Sequence, residues 1–162
     1  MSKYHMRRIE KEISNKKDIV EILKSSKFAV ISMCKMNEPY IVTLSYGYDE
    51  FKNTLYFHCA KEGQKIDFLN SNPLICGTVI EDNGYEDGCG QIYRSVVFRG
   101  KAVIVEELEE KKYGFNILLN QLENDPNTTK EKFLKKDETY ENSGMLRIDI
   151  TEISGKEEKA ES

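Results

Sequence analysis

Little in this sequence suits it to a membrane or to a nucleic acid. Its 162 residues contain no apolar run long enough to span a bilayer. The N-terminus is polar and charged, so no secretory leader is read there and a cytoplasmic location is expected. The 24 basic residues are outnumbered by 28 acidic ones, for a formal net charge of −4. The basic residues form no long stripe, which argues against a phosphate backbone as the main partner. Histidine is scarce, with His5 and His58 alone. The four cysteines, Cys34, Cys59, Cys76 and Cys89, lack close CxxC pairs, so no metal site is expected. They read as free thiols in a reducing compartment. Cys34 and Cys76 are expected in the core, and Cys89 is the most reactive candidate. No GxGxxG loop occurs, which leaves a dinucleotide fold unsupported. No Ser/His/Asp ordering points to acyl transfer.

What the chain has is strands. Its length fits one domain over residues 1–162, with 1–14 as an N-terminal arm and 155–162 as a frayed tail. Asn15 followed by Asp18 predicts a helix N-cap, and the helix runs to about Ser25. Phe28 to Met33 (FAVISM) reads as a fully buried strand. Tyr40 to Tyr48 alternates as a second strand, with Ile41, Thr43 and Ser45 on one face against Val42, Leu44 and Tyr46 on the other. Thr54 to His58, Leu74 to Ile80, Ile92 to Val105 and Gly144 to Ile153 complete the set. Gly77 predicts a bulge or a close backbone approach, and Gly100 a bend in a closed barrel. Glu81 to Gly90 reads as an acidic loop. Glu106 to Gln121 is a helix with Leu108, Phe115, Leu118 and Leu119 as its core stripe. Strands outnumber helices and their turns are short, so an antiparallel barrel with helices at its ends fits better than a βαβ sheet.

The organising stretch is LYFHCAKEGQKIDFLNSNP, Leu55 to Pro73. It starts as a strand and ends as a helix, with Gly63 in the turn and Lys65 in the first helical turn. Such a turn points unpartnered N–H groups forward at the positive end of a helix dipole, which is a seat for a phosphate. Lys65 adds a full charge, and Lys61 is expected to add a second. The same residues also suit a surface turn whose lysines face water.

The segment F-H-C-A-K-E-G-Q-K-I-D-x-L-x-x-N-P resembles the phosphate-binding segment of the pyridoxamine-phosphate-oxidase-like flavoproteins. It is most similar to the branch that includes the nitroimidazole-resistance reductases. Met6-Arg7-Arg8 with Glu12-Ile13, Glu38 to Tyr46, Tyr93 to Ala102 and Ile150 to Glu157 resemble further pieces of that branch in the same order. The resemblance implies a mainly β protein, a split β-barrel that forms a homodimer and binds FMN in two grooves at the subunit interface. It implies a phosphate held by Lys65, the N–H groups near Gly63, and Gln64. Gln64 is neutral where relatives carry basic residues, which places more weight on Lys65. The ring is expected against Val42, Thr43, Leu44 and Ser45 and against His58, Cys59 and Ala60. Arg94, Ser95 and Lys156 are expected to reach the cofactor from the partner subunit. His58 is the candidate catalytic residue, for substrate contact or proton supply; a histidine bonded to backbone at a strand end is the competing reading.

Three functions stay open on the sequence. One is an FMN-dependent oxidoreductase passing two electrons to a small electron-poor acceptor such as a nitroimidazole. Another is a non-catalytic flavin or deazaflavin carrier or sensor. The last is an interaction protein with an empty groove. Vitamin B6 oxidase activity is disfavoured, because the C-terminal stretch GMLRIDITEISGKEEKAES lacks the arginine- and histidine-bearing cluster of those oxidases.

Overall fold

The computed structural model describes residues 6–88 and 90–159. His5, Cys89 and the last three residues of the expected tail lie outside them. After a 3-10 turn at Ile9–Lys11 come β1 (Glu12–Ile13), α1 (Lys16–Ser25), β2 (Phe28–Lys35), β3 (Glu38–Ser45), β4 (Gly47–Asp49) and β5 (Thr54–Cys59). Then follow α2 (Gln64–Ser71), β6 (Leu74–Glu86), β7 (Gly90–Val105), α3 (Leu108–Leu122), α4 (Pro126–Phe133), α5 (Asp137–Asn142) and β8 (Gly144–Glu158). Among the described residues one eight-stranded sheet runs β3-β2-β6-β7-β8-β5-β4, with β1 beside β8, and every pairing is antiparallel.

The two edges of this sheet are β3 and β4, which are separated in sequence by Tyr46 alone. The expected single strand over Tyr40 to Tyr48 is therefore broken. The chain leaves β2 at Ser45 and joins β5 at Gly47, and so carries the sheet round on itself. Tyr46 anchors the switch: its ring is fully buried and its hydroxyl donates to the Leu23 carbonyl at 2.6 Å. Gly47 is obligatory for space, since a Cβ there would lie 2.5 Å from the backbone of Leu118 in α3. β3 and β5 approach across the seam without pairing, which makes the barrel split.

The core is the barrel interior. Ala29, Ile31 and Met33 of β2, Ile75 and Val79 of β6, Val96 and Phe98 of β7, and Leu146 and Ile148 of β8 line it. Helix α1 closes one end with Ile19, Ile22 and Leu23, and each such side chain contributes about 1.5–3 kcal/mol by leaving water. Asn15 caps α1 as expected, its side-chain oxygen accepting from Lys17 N at 3.0 Å. Gly77 marks a close approach rather than a bulge, because a Cβ there would meet the Phe98 ring at 2.3 Å. The register does shift at Arg99/Gly100, the bend read from Gly100.

Several expectations change. FAVISM is not buried on both faces. β2 alternates, leaving Phe28 57% exposed, because only one side of the sheet faces the core. Cys34 and Cys76 are half-buried and lie on the outward face with Phe28, opposite the core residues. The acidic stretch from Glu81 is no loop as far as Glu86. It continues β6 as an arm paired with the start of β7, with an irregularity between Asp82 and Tyr85. The tail is not frayed from Gly155: Gly155 pairs with Ile13 and with Val96, and the strand runs on to Glu158. Of the arm, Glu12 and Ile13 form β1, so its inner end is tied to the barrel.

Candidate functional site

The β5–α2 connection sits where the barrel seam opens. Strand β5 ends at Cys59, and α2 begins at Gln64 after Gly63, whose φ of 118° and ψ of 176° are open to glycine and strained for other residues. Nothing lies within 4 Å of the position a Gly63 Cβ would take, so the turn faces open space. The N–H groups of Gln64, Lys65 and Ile66 have no acceptor among the described residues, and no side chain caps the helix. Lys65 is half-buried, without an ion pair or hydrogen bond among the described residues, and lies near His58 and Cys59. The set of donors, three amides and one ammonium with no acceptor of their own, fits a phosphate group.

Lys61, expected to add a second charge here, points elsewhere. Its Nζ donates to the Glu141 carbonyl at 3.2 Å, beyond the end of α5. Gln64 and Ala60 are exposed beside the turn.

His58 stands at the exposed end of β5, on the face that meets α3. Its ring packs on Phe115, with centroids 5.3 Å apart, and Phe115 meets Tyr140 edge-on at 5.5 Å. Burial of that side lowers the imidazole pKa, and the Lys65 charge lowers it further. The histidine is accordingly neutral at neutral pH. Phe115 and Tyr140 were not legible as site residues. Phe115 read as helix core, and Tyr140 sits in α5, which the sequence did not mark as a helix. Cys59 faces the other way, toward the barrel interior. Burial raises its thiol pKa, while Lys65 and Lys111 oppose that shift.

On β3 the alternation holds as read. Thr43 and Ser45 are exposed with Ile41, whereas Val42 and Leu44 are half-buried against the core. One planar group can therefore meet the hydroxyls of Thr43 and Ser45 or the side chains of Val42 and Leu44, not both. Because β3 is an edge strand, its outer backbone groups have no strand partner.

Arg94, Ser95 and Lys156 are not brought to the turn within one chain. Ser95 and Lys156 face each other across β7 and β8, and the Ser95 hydroxyl donates to the Lys156 carbonyl at 3.4 Å. The Arg94 guanidinium is held by Glu81 at 2.7 Å and Glu21 at 3.0 Å, so any ligand role for it requires giving up those pairs. The outward face between β3 and these residues carries Phe28, Ile41, Leu74, Ile80 and Val97, each 41–62% exposed. Among the described residues no group of His, Cys, Asp or Glu is placed to hold a metal ion. None of their helices is long and apolar enough to cross a membrane.

Comparison with solved structures reproduces this architecture. A candidate 5-nitroimidazole antibiotic resistance protein from Bacteroides thetaiotaomicron superposes with a TM-score of 0.77 at 23% identity, covering 96% of this chain and 95% of that one. A flavocytochrome from Azotobacter vinelandii gives 0.81 at 17% identity, with 97% and 73% covered. An FAD-binding protein from Mesorhizobium loti gives 0.66 at 21% identity, with 90% and 96% covered. At such identities the likeness concerns the fold, an antiparallel split barrel. No curated protein matches the sequence. The family model described as pyridoxamine 5'-phosphate oxidase matches residues 15–157, nearly the whole barrel, and this chain belongs to that family.

Proposed function

We propose that the protein is an FMN-dependent oxidoreductase that passes two electrons to a small, electron-poor acceptor of the nitroimidazole kind. The observation that carries the reading is the β5–α2 turn: three amide donors at an open glycine turn have no acceptor of their own, and Lys65, without an ion pair among the described residues, follows in the first turn of the helix. Membership of the family and the FAD-binding and nitroimidazole-resistance neighbours support it.

In this reading Lys65 and the turn amides hold the phosphate. The Thr43 and Ser45 hydroxyls and the free edge of β3 orient the ring by hydrogen bonds. The bound flavin supplies the electron transfer, so the chain needs no nucleophile of its own. His58, kept neutral, offers one ring N–H to the acceptor beside the flavin and is walled from water on one side by Phe115. The protein acts as a homodimer in the cytoplasm. The outward apolar face of Phe28, Ile41, Leu74, Ile80 and Val97 is the part of the surface suited to a second copy. Ser95 and Lys156, which border that face, then approach the other subunit's groove.

The test is the absorbance spectrum and released-cofactor mass of the purified protein, followed by anaerobic turnover of a nitroimidazole with a chemical reductant. Flavin bands, an FMN mass and turnover are expected. A protein that stays colourless after incubation with FMN overturns the reading. Flavin binding without turnover converts it to the carrier. His58→Ala is expected to keep the flavin and lose turnover.

A further inference from the structure

A second cavity, of about 290 Å3, lies behind the β5–α2 turn. No residue of β3 and neither Gly63 nor Lys65 lines it, which sets it apart from the proposed phosphate seat, although it shares Cys59, Ala60 and Ile66 with that region. Its walls come from the end of β7, from α3 and from the α5–β8 connection.

Its polar side is unusual. Lys111 is 4% exposed, and its Nζ donates to the carbonyls of Glu141 at 3.1 Å and Ser143 at 2.9 Å. Lys61 Nζ donates to that same Glu141 oxygen at 3.2 Å. Two ammonium groups that share one oxygen lie no more than 6.3 Å apart, the sum of 3.1 and 3.2 Å. Among the described residues neither forms an ion pair with a carboxylate. The Glu106 and Glu141 side chains belong to exposed residues at the rim and do not close on them. Carbonyl oxygens carry only partial charge, so the pair of cations is incompletely neutralised in a partly desolvated place. The ammonium of Lys111 has three protons and uses two of them on protein oxygens.

The lining also has an apolar wall, supplied by Ile66, Ile104 and Met145. A bare inorganic ion would satisfy the lysines and leave that wall wet. A carboxylate with an apolar body satisfies both. The volume has room for about ten non-hydrogen atoms, taking about 30 Å3 for each. We propose that this cavity binds a small organic carboxylate, its anionic end between Lys61 and Lys111 and its body against Ile66, Ile104 and Met145. The site stands on the cavity alone and is independent of the flavin reading.

Benzoate is the probe. Titrated into the full-length protein by calorimetry or by chemical-shift perturbation, it is expected to bind saturably with a Kd of about a millimolar. Lys61 is exposed, so Lys61→Met removes one charge without disturbing the core and is expected to weaken binding about tenfold. Lys111→Met, checked for an intact melting transition, is expected to weaken it at least as much. If that variant does not fold, Lys61→Met alone decides. Lys65→Ala is expected to leave benzoate binding unchanged while weakening the flavin, which keeps failure of the two readings distinguishable. No saturable binding to the wild type, or a Lys61→Met protein that binds benzoate like the wild type, overturns the proposal.

Discussion

Strand β5 serves two polar regions that differ in one respect. Around Thr54 and Tyr56, toward α3, the strong donors face carboxylates, although the buried Arg147 Nε lies 2.9 Å from Asp149 without the geometry of a hydrogen bond. The Arg147 guanidinium pairs with Glu110 and with Asp149, at 3.0 Å to the latter, and the Tyr56 hydroxyl donates to Glu110 at 3.5 Å. Tyr113 donates to buried Asp49 at 2.7 Å, and that bond is the main reason its phenol pKa is pushed up to about 12. Two residues further along the strand, around His58 and Lys65, the donors outnumber the acceptors. Both regions use cations, carboxylates and aromatic rings. The first is closed on itself and holds α3 to the barrel. The second is left open, and it is where the proposed phosphate would complete the bonding.

The contrast can be broken from either side. The largest expected effect is on the closed region. Arg147→Met leaves Glu110 and Asp149 half-buried without their partner, and should cost about 3 kcal/mol, a fall in Tm of about 10 °C by thermal melting. FMN affinity of the folded variant should hold. A loss of FMN affinity with an unchanged Tm would invert the assignment of the two regions. The next effect falls on the open region. Lys65→Ala should weaken FMN about thirtyfold in a fluorescence titration while leaving the melting temperature within error, since no intramolecular partner is lost. Gly63→Ala should cost about 1 kcal/mol of stability, because a side chain at a φ of 118° is strained even with space around it. It should also weaken FMN by shifting the turn amides. Gly63→Ala melting like the wild type would show that the turn relaxes freely.

The smallest effect sharpens the comparison through pH. The His58 pKa is lowered by burial and by Lys65, so the unfolded chain binds its proton more readily than the folded one. Stability from this residue is fully present above its unfolded pKa of about 6.5 and declines as the pH falls below that value toward the folded pKa. An NMR titration of the imidazole should place its midpoint below that of a free histidine. In Lys65→Ala the midpoint should move up, since the second cause is removed. A midpoint indifferent to Lys65 would separate the two side chains.

Much of the candidate site was readable because its parts are contiguous. A strand, a glycine turn and the start of a helix within Leu55 to Pro73 need only local rules, so Gly63 and Lys65 could be picked out by type and spacing, while His58 was singled out by the family resemblance. The direction of Lys61 was not readable. It depends on the Glu141 carbonyl, 80 residues away along the chain. Phe115 and Tyr140 were invisible as neighbours of His58 for the same reason. The outward exposure of FAVISM also escaped. An apolar run looks the same whether both faces are covered within one chain or one is left for a partner.

Taken alone, the sequence determined what repeats or is local: the strand alternation along β3, the Asn15 cap and the bend at Gly100. These depend on backbone geometry and nearest neighbours, whereas at Gly77 the choice between a bulge and a close approach fell to the Phe98 ring on the neighbouring strand. Only the tertiary structure decided which residues meet. It broke the chain at Tyr46 to join the two edges of the sheet, held Arg94 on Glu21 and Glu81, and continued the charged tail as strand beside β7. Each of these is settled by pairing between segments far apart in sequence. Their energy is the energy of burial and of satisfied hydrogen bonds, and no local pattern records it.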